Sequence, residues 1–230
     1  MNKVIGTVLL AGLLIGFLIW STPVTRLGSG FLIGKTRFVL TYYDLVKDAE
    51  NIQVKFPNED DIPAKWINKG KTDNVVILEL LESPKVKREP LSIQSENAGL
   101  KENYVFSLGY PWTNTLEDKH TFHEGSLASR DENASGFLEI HLEVDPIHSG
   151  SPLFNRNREV VGMLISAKTL YDRGDSSGKL NLAIPAAVLI DVMKTNKIFG
   201  NANSAPILKK LPLEEFIEAT KNNVVLIEAN

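Results

Sequence analysis

The sequence predicts an all-β domain, a barrel or a sandwich, with an apolar helix ahead of it and helical residues behind. Three observations carry this. Ile52-Gln53-Val54-Lys55-Phe56 and residues 138–144 alternate apolar and polar side chains with period two, as half-buried strands do. Short apolar runs recur between turn residues from 29 to 195. Residues 4–20 carry no charge at all.

Taken in order, residues 4–20 come first. As a helix at about 1.5 Å per residue they span roughly 25 Å, near the lower limit for crossing a bilayer. Trp20 ends the run at a plausible interfacial depth. A cleaved signal peptide has a shorter apolar core and a small-x-small cleavage site, which Ser21-Thr22-Pro23-Val24-Thr25-Arg26 does not offer. An uncleaved transmembrane anchor over 1–24 is therefore the expectation, with a signal peptide or a buried core helix as rivals. Lys3 and Arg26 flank the run and do not decide its orientation.

The body follows. Residues 31–33, 38–41, 75–78, 104–108 and 160–165 read as further strands, with turns at Gly34-Lys35-Thr36, Gly109-Tyr110-Pro111 and Arg156-Asn157-Arg158-Glu159. Pro185 opens a helix to about Lys197, with Val188, Leu189 and Val192 as its apolar stripe. Residues 198–212 read as a linker. A second short helix covers 213–221, its Glu214 and Glu215 early and Lys221 late, as the helix dipole prefers. The expected organisation is an anchor over 1–24, one domain over 25–197, and a linker with a short helix over 198–230.

Composition bounds the function. The 230 residues, 43% hydrophobic, suffice for a packed core. A net charge of −3 gives no basic excess of the kind nucleic-acid binding uses. Without cysteine there can be no disulfide, thiolate metal site or cysteine nucleophile. No cofactor is implied. His120 and His123 with a carboxylate lack a recognisable zinc-ligand spacing, so no metal site is assigned.

Several segments, in order, resemble the trypsin-like serine proteases of the bacterial HtrA-like branch. They are Gly28-Ser29-Gly30-Phe31-Leu32-Ile33, Phe38-Val39-Leu40-Thr41-Tyr42-Tyr43-Asp44-Leu45-Val46, and Thr72-Asp73-Asn74-Val75-Val76-Ile77-Leu78. Residues 105–111, Ser149-Gly150-Ser151-Pro152-Leu153-Phe154-Asn155, Val160-Val161-Gly162 and Asn181-Leu182-Ala183-Ile184-Pro185 complete the set. The resemblance covers about 28–195. It implies two six-stranded Greek-key barrels, a C-terminal helix and an extracytoplasmic location. Two family parts have no counterpart: a strand ahead of the Gly-Ser-Gly-Phe segment, and a C-terminal PDZ domain.

The same resemblance places a serine nucleophile at Ser149 and the orienting carboxylate at Asp73; the bland readings are a loop serine and a strand-cap aspartate. The position of the triad histidine falls on Asp44. The histidines are His120, His123, His141 and His148, and all follow Asp73, whereas the family order is His, Asp, Ser. A carboxylate of ordinary pKa, about 3.9, is too weak a base for a serine hydroxyl. The oxyanion hole is assigned to the backbone of Ser149 and Ile147, and at Ile147 the family has glycine. A β-branched residue resists the backbone angles glycine accepts, so a misshapen hole is expected. His148 adjoins Ser149, and adjacent side chains usually diverge; His120 and His123 flank Thr121-Phe122 in an expected loop. Glu143 falls at the floor of the substrate pocket, where it either favours a basic side chain or is simply solvated.

These features imply a membrane-anchored, catalytically inactive trypsin-like protein that binds a peptide or protein ligand in its cleft or serves as a scaffold. The alternatives are an active serine endopeptidase of envelope proteins with a rearranged site, and a structural envelope role through another surface. The oligomeric state is left open.

Overall fold

The computed structural model describes residues 25–34, 37–57, 59–67, 74–88, 90–94, 103–110, 120–129, 135–143, 145–165, 181–198 and 211–230. Within these, the strands close into two antiparallel six-stranded barrels. The first contains β1 (Arg26–Ile33), β2 (Phe38–Tyr42), β3 (Ile52–Lys55), β4 (Ile62–Trp66), β5 (Val75–Leu80) and the C-terminal β12 (Val224–Ala229), in the order β1-β12-β3-β4-β5-β2. The second contains β6 (Tyr104–Gly109), β7 (Thr121–Leu127), β8 (Leu138–His141), β9 (Pro152–Asn155), β10 (Val160–Ile165) and β11 (Asn181–Pro185), in the order β10-β11-β8-β7-β6-β9. Among the described residues, three α-helices accompany them: α1 (Tyr43–Val46), α2 (Ala186–Thr195) and α3 (Leu213–Thr220).

Three apolar cores explain the sequence pattern. Leu32, Val39, Val54, Val76, Leu78, Val225 and Ile227 fill the first barrel. Val105, Leu138, Ile140, Leu153, Val161 and Leu164 fill the second. Phe31, Ile33, Leu40, Ile77, Phe106, Phe154, Met163 and Ile165 join the helices in a third core between the barrels. Strands such as β1, β5 and β10 are buried on both faces, so they read as continuous apolar runs. β8 keeps one open face: Leu138 and Ile140 point in, while His141 is exposed.

The first barrel is closed by a strand from the C-terminal end of the given sequence. β12 lies between β1 and β3, paired from Arg26↔Ala229 to Phe31↔Val224 on one side and from Leu226↔Lys55 to Ala229↔Ile52 on the other. The segment 198–230, expected as a linker and a short helix, contains this strand as well. α3, placed as expected but ending at Thr220, sets Phe216 edge-on against the rings of Phe106 and Phe154 in the inter-barrel core. The tail therefore ties the barrels together.

Other boundaries moved by a few residues. The strand expected over 138–144 ends at His141, although Leu142 remains buried. Pro185 closes β11 and caps α2 rather than starting it. Thr121, Phe122 and His123, expected in a loop, begin β7, which pairs along the full length of β6. Among the described residues no helix is long and apolar enough to cross a membrane; the expected anchor over 1–24 lies outside them.

Candidate functional site

Ser149 ends a single 3-10 turn, Pro146–His148, that leads into β9. The turn is stitched to the first barrel by β1. The Ser29 hydroxyl donates to the Ile147 carbonyl at 2.8 Å, and the Ser29 N–H donates to the Ser149 carbonyl at 2.9 Å. Thr41 on β2 donates in turn to the Ser29 carbonyl at 2.7 Å. Ser29 and Thr41 are completely buried, so their hydroxyls carry this seam between the barrels. A hydroxyl residue within the buried part of β1, between Gly28 and Phe31, is the sequence signal for it.

Gly150 continues the stitching. Its φ is +94°, and a Cβ there would lie 2.0 Å from the Ser29 carbonyl oxygen. Its N–H donates to the Leu164 carbonyl at 2.9 Å, and the Leu164 N–H donates to the Ser151 carbonyl at 2.9 Å. Ser149 thus stands at the contact of both barrels, held on each side by backbone hydrogen bonds.

Within the turn, the His148 N–H donates to the Asp145 carbonyl at 2.9 Å, and the Ser149 N–H donates to the Pro146 carbonyl at 3.0 Å. Ile147 is buried, 3% exposed, in this 3-10 backbone. The backbone of Ile147 and Ser149, to which the oxyanion hole was assigned, lies in a tight turn that engages the Ser149 amide internally.

Asp44 lies in α1, close behind the turn. Gly28 separates the two: a Cβ on it would meet Leu45 Cδ2 at 2.6 Å and the Ser149 carbonyl oxygen at 3.2 Å. The Asp44 carboxylate accepts from the Tyr42 hydroxyl at 3.0 Å and pairs with Lys47 at 3.3 Å, while its carbonyl accepts from Arg26 at 2.8 Å. Asp73 lies outside the described residues. Its neighbour Asn74 accepts the Tyr43 N–H at 2.9 Å, so the start of β5 adjoins α1. Glu143 is exposed beyond β8.

His148 is 1% exposed, and its ring turns toward β6 and β7. Burial, then the neighbouring His123, pushes it down to about 4. The two rings meet edge to face with centroids 4.7 Å apart. Burial also lowers the His123 pKa, against the opposing pull of Asp145 and Glu143 and a hydrogen bond to the Glu143 backbone. His120 lies apart, hydrogen-bonded through Nε2 to the Val224 carbonyl of β12 at 3.0 Å. Among the described residues no group of three or more ligating side chains could hold a metal.

A family model described as a trypsin-like peptidase domain matches residues 28–163. The chain is 29% identical over 184 residues to a protein of Pseudomonas fulva (strain 12-X) described as a probable periplasmic serine endoprotease, DegP-like; the match covers 77% of this chain and 36% of that protein. A protein of Hahella chejuensis (strain KCTC 2396) with the same description is 28% identical over 181 residues, covering 75% and 36%. The chain thus spans little more than a third of the length of these relatives. The crystal structure of the serine endoprotease from Yersinia pestis superposes with a TM-score of 0.59 at 21% identity, over 74% of this chain and 57% of that one, a likeness of fold.

Proposed function

The chain belongs to the trypsin-like serine protease family, in its HtrA-like branch, and we propose that it is a non-hydrolytic member that captures extended peptide or protein segments in its cleft. The observation that carries this reading is the donation of the Ser149 N–H to the Pro146 carbonyl at 3.0 Å. Acyl transfer places negative charge on the scissile carbonyl oxygen, and the nucleophile's own amide is one of the donors that must receive it. An amide engaged inside its own turn gives no such help, and losing one oxyanion donor costs about 10²–10³ in turnover.

The proton side of the site supports the same reading. Asp44, at the position where the family has histidine, is engaged by Tyr42 and Lys47. His148 has both ring nitrogens within hydrogen-bonding distance of Asp145 and Thr121. Capture would proceed by main-chain pairing with an extended segment, with side-chain pockets, Glu143 among their candidates, supplying selectivity. The relatives' description as periplasmic proteins and the uncharged run over 4–20 support a barrel domain outside the cytoplasm, tethered by a single-pass membrane anchor.

The second reading, an active endopeptidase, is favoured by the description of the relatives as endoproteases and by the serine at 149. One experiment separates the two. The purified protein is incubated with an unstructured protein substrate and, in parallel, with a fluorophosphonate probe. The proposal expects neither hydrolysis nor labelling, and no difference between wild type and Ser149→Ala. Hydrolysis or labelling that Ser149→Ala abolishes would establish the second reading instead.

A further inference from the structure

The His148 ring is held at both ends. Nδ1 lies 3.1 Å from the Asp145 N–H and 3.2 Å from the Asp145 carbonyl. Nε2 lies 2.8 Å from Thr121 Oγ1, which is itself 3.2 Å from the Gly109 carbonyl. One tautomer serves both the Asp145 N–H and the Thr121–Gly109 bond. Nδ1 is bare and accepts from Asp145, Nε2–H donates to the Thr121 oxygen, and the Thr121 hydroxyl donates onward to Gly109. The Asp145 carbonyl needs nothing from the ring, because it already accepts the His148 N–H at 2.9 Å.

The second barrel is shaped to seat this ring. Gly109 and Thr121 are cross-strand partners on β6 and β7. A Cβ on Gly109 would lie 1.9 Å from His148 Cδ2, so a side chain there would evict the ring. His123, two residues beyond Thr121 on the same face of β7, closes the seat edge-on. A buried polar ring with every partner in place fixes the backbone that carries it. That backbone is the turn whose last hydrogen bond engages the Ser149 amide.

We propose that His148 is a positioning residue for the Ser149 loop: seated on Gly109, Thr121 and His123, its ring holds the turn in which the Ser149 N–H is committed to the Pro146 carbonyl. This deepens the non-hydrolytic reading and rests on it for its consequence. The ionisable groups facing the ring are His123 from β7 and Asp145 from its own turn, with Glu143 holding His123 from the end of β8. Burial and the neighbouring His123 oppose protonation of the ring, while Asp145, whose carbonyl lies 3.2 Å from Nδ1, favours it. Its burial keeps the ring neutral near pH 7.

The test uses the ¹⁵N-labelled full chain in detergent. Long-range ¹H–¹⁵N correlation reads the tautomer of His148, and hydrogen exchange reads the Ser149 amide. The expected result is an Nε2–H tautomer in the wild type. In Thr121→Val, exchange at Ser149 should rise by about tenfold, the scale of one lost neutral hydrogen bond. Exchange at Val161 and Leu164 of β10 should hold, and Thr121→Ser should restore Ser149. An Nδ1–H tautomer in the wild type overturns the proposal, as does a rise at Ser149 no larger than at Leu164. If Thr121→Val does not fold, the wild-type tautomer decides alone. The outcomes stay separable: probe labelling of wild-type Ser149 sinks the non-hydrolytic reading, while an indifferent Thr121→Val with unlabelled wild type sinks only the role of His148.

Discussion

Pro146 and Ser149 are joined by a backbone hydrogen bond of 3.0 Å that turns the serine amide back into its own loop. The same loop is fastened from outside by Ser29, which donates to Ile147 through its hydroxyl and to Ser149 through its amide. The turn is therefore part of the seam between the barrels. A rearrangement that freed the Ser149 amide would have to keep or replace those bonds.

Gly150→Ala should destabilise the domain by ~3 kcal/mol or more. The residue has φ +94°, which an L side chain rarely adopts, and the new Cβ would fall 2.0 Å from the backbone oxygen of Ser29. Backbone strain of this kind costs about 1–3 kcal/mol before the clash is counted, and β1 is fixed by ladders on both sides. Urea denaturation measures it. A midpoint within error of wild type would mean that the seam yields easily.

Acid should weaken the fold through His148. Its pKa is lowered from 6.5 to about 4 in the folded state, so between those values the unfolded chain binds more protons. The contribution is complete above pH 6.5 and is lost as pH falls to about 4. It amounts to about 3 kcal/mol over that window. His123 is shifted in the same direction and adds with the same sign. Urea midpoints measured from pH 7 to 4 should fall, and the fall should flatten in His148→Asn. Equal slopes in the two proteins would show that other groups dominate.

Removing residues 211–230 should abolish the first barrel. β12 pairs on both sides, and Val224, Val225, Ile227 and Ala229 are buried. Without it β1 and β3 become open edges, which invite aggregation. Phe216 would also leave the inter-barrel core. Circular dichroism and gel filtration should report loss of cooperative unfolding and self-association. A synthetic 211–230 peptide, added in trans, should restore part of the fold. A truncated protein that unfolds cooperatively at the wild-type midpoint would assign the tail a decorative role.

The barrels were legible because their strands carry strong local patterns: alternation in β3 and β8, and apolar runs in β1, β5 and β10. β12 was not, although Val224-Val225-Leu226-Ile227 is itself an apolar run. Its partners lie almost the whole chain away, and a local pattern does not say which sheet a strand will join. That the C-terminal run closes the first barrel shows only in three dimensions. Within the site, Ser149 and Ile147 were assigned from their motif alone. The inward turn of His148 was not legible, because it depends on Gly109 and Thr121 from a hairpin whose second strand begins in residues expected as loop. Asp73, placed by the same motif logic, lies outside the described residues.

Rebuilding hydrolysis should need two changes together. Asp44→His alone should recover little. It sacrifices a partly exposed pair with Lys47, worth about 0–1 kcal/mol, and the bond from the Tyr42 hydroxyl, worth about 1 kcal/mol, so the variant should fold. It places an imidazole at the position that the resemblance assigns to the family's base, but the Ser149 amide would still face Pro146. Ile147→Gly alone relaxes the turn and leaves the base unchanged, at a cost in stability of about 1–3 kcal/mol for a buried side chain. The double variant should exceed the sum of the singles, because base and oxyanion donors act on one transition state. Asp73→Asn added to the double variant should remove most of the gain, since that carboxylate would orient the new imidazole. Hydrolysis of an unstructured protein, with Ser149→Ala as the blank in each background, measures all four. Equal activity in Asp44→His and in the double variant would mean that the Pro146–Ser149 bond is no obstacle, and the reading of the turn as the cause of inactivity would fall with it.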